Sequence, residues 1–135
     1  MMQSSVQSRW RWILAVVFVG AGANHFLNPA PYVAMMPAWL PWPTALVAIS
    51  GAAEIIGGVG LVVTRVQRVA AWGLIALLVA VFPANVNVAI YGWPGSGLPA
   101  WSLWARLPLQ LVAIAWIHRI CLRAERCDSA PVQPA

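Results

Sequence analysis

Thr44–Val63 reads TALVAISGAAEIIGGVGLVV, twenty residues with a single ionisable side chain, Glu54, halfway along. At about 1.5 Å of rise per residue, a helix of that length crosses a hydrocarbon layer about 30 Å thick. Three more stretches share its character, near Trp10–Leu27, Val69–Tyr91 and Ser102–Ile120. Lipid cannot satisfy an open backbone, and four segments are too few to close a barrel, so each is expected to be a helix. The predicted fold is an all-α integral membrane four-helix bundle. It forms one domain over residues 1–123, and the polar stretch 124–135 follows as a disordered tail.

Composition points the same way. The chain has 135 residues, of which 61% are hydrophobic and 8% charged. Soluble domains carry about 25% charged residues, so this chain cannot cover a globule with a wetted surface. That excludes a soluble enzyme domain, a disordered chain and a secreted disulfide scaffold. The formal net charge of +5 comes from eight arginines and no lysine. Those arginines punctuate the apolar runs rather than gathering on a polar face, which argues against a nucleic-acid partner and for the lipid bilayer.

Seven of the eight arginines fall on one side of a four-span topology: Arg9, Arg11, Arg65, Arg68, Arg119, Arg123 and Arg126. Positive charge favours the cytoplasm, so both termini are expected on the cytoplasmic side of the membrane. The nine tryptophans cluster at the span ends, where an indole can bury its ring and keep its N–H wet. They read first as anchors, with ligand stacking by Trp39, Trp42 or Trp104 the alternative. A second reading of the N-terminus takes Arg9 and Arg11, Ile13–Gly20 and Ala21-Gly22-Ala23 as a cleavable secretory signal, which would leave three spans.

The connection Asn28–Pro43, NPAPYVAMMPAWLPWP, holds five prolines and no charge. It is too apolar for a solvated loop, so it lies in the outer interface or folds over the bundle mouth. The second outer connection, from Gly92, is a Gly/Pro loop. Cys121 and Cys127 both fall on the cytoplasmic side, which argues against a structural disulfide. His25 and His118 sit at opposite ends of the bundle and make no metal cluster.

A carboxylate inside a span costs about 2.5–3.5 kcal/mol to insert at the centre, and it normally faces the interior with a partner. Around Glu54 stand Ser50, Gly51, Gly57 and Gly58, small neighbours that let another helix approach closely. His25, Asn85, Arg106 and Gln110 lie at similar depth in the outer half. The expected site is one buried polar cluster of His25, Glu54, Asn85, Arg106 and Gln110. In it Glu54 is the anion, Arg106 its compensating cation and His25 a titratable relay. Pro83 lies inside the third span and would open space beside Asn85. Pro108 reads either as a first-turn proline or as an interior one. The bland alternative is that these groups only hold helices together, contributing about 0.6 kcal/mol per contact.

Several of these stretches together resemble the DoxX family of small bacterial inner-membrane proteins. They are GANHFLNPAPYVAMMPAWLPWP from Gly22, SGAAEIIGGVGLV from Ser50, RVAAWGLIALLVAVFPANVNVAIYG from Arg68 and ARLPLQ from Ala105. The resemblance implies a multi-pass inner-membrane protein associated with redox systems, either a subunit of quinone-linked oxidation or a membrane partner of oxidative-stress enzymes. It also places the family's polar positions on His25, Glu54, Asn85, Arg106 and Gln110. The chain has no cofactor motif and no thiol within a span, so it could be at most one non-catalytic or quinone-docking part of an oxidoreductase. No covalent cofactor is expected, and quinone is the ligand this reading favours. Two other functions stay open: a small solute or proton transporter, which four narrow spans would perform as a homo-oligomer, and a plain anchor for a partner enzyme.

Overall fold

The computed structural model describes residues 2–123. They form α1 (Met2–Leu27), α2 (Pro29–Ala34), α3 (Pro43–Val62), α4 (Gln67–Tyr91) and α5 (Ala100–Ile117), the last continuing into a π-helical stretch, His118–Arg123. No strand occurs among the described residues. Four helical stretches are long and apolar enough to cross a membrane: Val6–Leu27, Pro43–Val62, Gln67–Tyr91 and Ala100–Leu122. All four expected spans are therefore present, with ends shifted by a few residues. Pro43 opens α3 in a first turn, where a missing N–H costs nothing. Pro108 lies well inside α5, which begins at Ala100, so of its two readings the interior one holds. The expected tail, with Glu125, Arg126, Cys127 and Asp128, lies outside the described residues.

α1 packs on α3, α3 on α4 and α4 on α5. α1 and α5 meet at the end that carries the Arg65–Arg68 turn, where the Trp10 and Trp116 rings stand 5.0 Å apart. The α1–α3 seam is the tightest, and glycine makes it so. A Cβ on Gly22 would stand 2.5 Å from the Gly51 carbonyl oxygen, and one on Gly51 would stand 2.7 Å from the His25 Cβ. Without side chains at either position the two backbones touch, as small residues allow in apolar bundles. In the fold, the segment that could be read as a signal is the α1 helix itself, with Gly22 buried against α3.

Two buried apolar clusters form. One, at the arginine end, includes Leu14, Leu61, Leu74, Ile117 and Cys121; the other, at the opposite end, gathers Met35, Ala84, Val88 and Leu103. The polar residues lie between them. Val16, Val17, Ile56, Val69 and Leu109 are exposed on the outside of the bundle, a surface suited to acyl chains rather than water.

The proline-rich connection folds back. Its short helix α2 and the residues after it lie over the bundle, which is the second of the two readings of that segment. Two bonds hold it there: Asn87 Nδ2 donates to the Met35 carbonyl at 3.1 Å, and Trp93 Nε1 donates to the Pro31 carbonyl at 2.6 Å. The short helix itself escapes the sequence reading, because prolines 29 and 31 fit a first turn as readily as a loop. The connection from Gly92 to Pro99 is irregular, and Gly92, Gly95 and Gly97 take positive φ there.

Candidate ligand chamber

Four of the five expected site residues line one cavity of about 250 Å³: His25 from α1, Glu54 from α3, Asn85 from α4 and Arg106 from α5. Tyr32, Met35 and Met36 roof it from the folded-back connection, and Ser50, Val81 and Ala84 complete the walls. Gln110 stands behind Asn85. Asn85 Nδ2 donates to Gln110 Oε1 at 2.8 Å, and Gln110 Nε2 donates in turn to the Leu78 carbonyl. Gln110 therefore fixes the orientation of Asn85, leaving the Asn85 carbonyl and one N–H for the cavity.

The α1–α3 seam brings His25 to Glu54, with His25 Nε2 4.0 Å from Glu54 Oε2. The other side of the imidazole is held firmly. Ser50 Oγ donates to the Val47 carbonyl at 2.9 Å, and His25 Nδ1 lies 3.2 Å from that Oγ and 3.3 Å from that carbonyl. Serine has one hydrogen, and it is already committed to Val47. The network thus assigns the imidazole hydrogen to Nδ1 and turns Nε2 toward the carboxyl. At 4.0 Å the pair is too far apart for a direct hydrogen bond. Glu54 Oε2 is buried and has no hydrogen-bond partner.

Arg106 does not take the role expected of it. Among the described residues the one basic side chain within 4.0 Å of the Glu54 carboxyl is His25. The guanidinium of Arg106 lies over the Trp93 ring instead, with Cζ 4.2 Å from the centroid. An indole face attracts a cation by about 0.5–2 kcal/mol, more as water is excluded, and here it supplies the counterpart that the carboxylate was expected to supply. Arg106 still lines the chamber, so its N–H groups are available to an acceptor there.

Three contributors escaped sequence reading. Tyr32 packs against His25 with the rings tilted by 54° and centroids 4.0 Å apart, and its hydroxyl accepts from Asn24 Nδ2 at 2.6 Å. That leaves the phenol hydrogen free to donate. Trp93 holds both the roof and Arg106, standing 6.0 Å from Tyr32 edge-on. Ser50, first read only as a small neighbour of Glu54, sets the imidazole tautomer. Its place four residues before Glu54, on the same helix face, is the signal that was there to find. Trp39, Trp42 and Trp104 are exposed, and none of them lines the chamber, as anchors would be placed. His118 stands at the far end, its ring 6.2 Å from that of Trp72.

Donors (Arg106, Tyr32, Asn85) and acceptors (Glu54, the Asn85 carbonyl) thus converge on a small, largely apolar space. That set suits a flat head group with oxygens on opposite edges, one taking hydrogen bonds and the other able to give or receive a proton. A cavity of about 250 Å³ accommodates one ring rather than a large cofactor.

Fold and site define an all-helical protein of multi-pass membrane type, with four helices long and apolar enough to span and a polar chamber among them. More particularly, residues 14–121 match the family model described as Domain of unknown function (DUF8561), and the chain belongs to that family. The match takes in every chamber residue. No curated protein and no solved structure matches the chain.

Proposed function

We propose that this protein is a membrane subunit of a redox-linked complex and that its chamber docks the head of a quinone-type molecule. The observation that carries this reading is Glu54 Oε2: a carboxyl oxygen buried within a span, on a cavity wall, with no hydrogen-bond partner. Buried polar groups are ordinarily satisfied, so an orphan of this kind calls for a further group. Structural glue alone does not account for it, because no hydrogen bond ties this oxygen to another helix.

In this reading Arg106 and Tyr32 donate to one ligand oxygen, while the other, as the hydroxyl of the reduced head, donates to Glu54 beside His25. Asn85, held by Gln110, fixes the plane of the ring. The chain sits in a bacterial inner membrane with both termini cytoplasmic, and the enzyme that exchanges electrons with the quinone is a separate protein. The DoxX resemblance supports the redox association, and the arginine-rich end offers a docking face to such a partner.

The test is binding of a short-chain quinone to the purified protein in nanodiscs, followed by quenching of tryptophan fluorescence. Saturable binding is expected, weakened about tenfold or more in Glu54→Gln, which corresponds to the loss of one good polar contact. Absence of saturable binding, or equal affinity in Glu54→Gln, would refute the proposal.

A further inference from the structure

The polar chamber has an apolar neighbour. A second cavity of about 200 Å³ lies between α3 and α4, and four residues, Met36, Ser50, Val81 and Ala84, line both spaces. The rest of its wall includes Leu40, Leu46, Ile49, Leu77, Ala80 and Pro83, with no ionisable group. Its outer rim faces away from the bundle: Ile49 is 64% exposed, and Ala80 and Pro83 are exposed as well. A polar space therefore adjoins, across Met36, Ser50, Val81 and Ala84, an apolar space whose outer rim is exposed on the surface of the bundle.

We infer that this side cavity is the seat of a hydrocarbon tail, and that the chamber's ligand is an amphiphile that enters sideways from the bilayer between α3 and α4. This inference rests on the head-group reading of the chamber and adds what the head alone does not specify: a tailed ligand and its route. The division of lining is the argument. The ionisable and amide groups stand in one compartment and none stands in the next, whose wall is hydrocarbon apart from Ser50, and of the residues between the two Met36 is the one that can yield most easily. Met36 has three rotatable bonds and a polarisable sulfur, and can swing without unpairing any polar group. A solute arriving from water would need no such apolar annex. A tailed molecule already dissolved in the membrane needs one, because its tail must leave through the wall of the bundle.

The experiment compares two ligands with the same benzoquinone head, one without a tail and one with an isoprenoid tail bearing a terminal diazirine. In the wild-type protein in nanodiscs, irradiation is expected to attach the tail to the wall formed by Leu46, Ile49, Leu77 and Ala80, and excess tailless quinone should suppress the labelling. Ala80→Trp, at an exposed position that tolerates a large side chain, plugs the annex. It should weaken the tailed ligand about tenfold or more while leaving the tailless one within about twofold. Labels confined to α1 and α5, labelling that the tailless quinone does not compete, or equal affinity of Ala80→Trp for the tailed ligand would each overturn the inference. Loss of the tailless ligand from the wild-type protein would instead refute the chamber reading on which it rests.

Discussion

At Glu54, stability and binding are set against each other. A carboxyl group at mid-span is costly to insert and here keeps one oxygen without a partner. Glu54→Gln should therefore melt at the same temperature as the wild-type protein or higher in a detergent scan, while binding less quinone. A lower melting temperature with unchanged binding would mean that the carboxyl is structural. Asn85 behaves in the opposite way. Its bond to Gln110 is internal to the protein, so Asn85→Ala should lower the free energy of unfolding in mixed micelles by about 0.6–1.7 kcal/mol, the range of interhelical polar contacts. At this scale much was legible in the sequence. Ionisable and amide groups within apolar runs identify themselves, and Glu54, His25, Asn85 and Arg106 do share one chamber. The choice of partner was not legible. Depth along a span does not say whether Arg106 turns to a carboxylate or to an indole, and Trp93, in the loop between the spans, settled that through ring geometry.

Among the elements, the α1–α3 seam and the roof carry most consequence. The seam sets the His25–Glu54 distance because Gly22 and Gly51 allow the backbones to touch. Gly51→Leu would press directly on His25, and overpacking of this kind costs about 1–3 kcal/mol. The variant should unfold at a lower SDS fraction and lose quinone affinity together, whereas Gly20→Leu, on α1 with open space where its Cβ would stand, should change neither. The roof is held by Trp93 and Asn87. Trp93→Phe removes an N–H donor without removing a ring; by loosening the connection that carries Met36, which stands between the chamber and the annex, it should speed both association and dissociation of the ligand in stopped-flow quenching. Unaltered rates would show that this tether does not govern passage at Met36. Hydrophobic run lengths were enough to locate the spans. They could not reveal α2, since prolines in an apolar segment suit a short helix and an irregular stretch equally, and only the tethers from α4 and Trp93 choose between them.

The bundle as a whole follows from one imbalance: too little charge to face water, and too many polar groups at one depth to be incidental. The first half of that imbalance is plain in composition and fixed the all-helical architecture. The second located the chamber but not its apolar annex, which lies between α3 and α4 beside Ala80 and Pro83 and has no signature in hydropathy. The chamber being built for an occupant is the central claim, and a density map of the protein purified in native lipid tests it most directly. The account predicts a flat, ring-sized feature bracketed by Glu54, His25, Tyr32 and Arg106, with elongated density continuing from it between α3 and α4. A map in which the Glu54 carboxyl turns outward to acyl chains, or in which the helices close over the space and leave it without density, would contradict it.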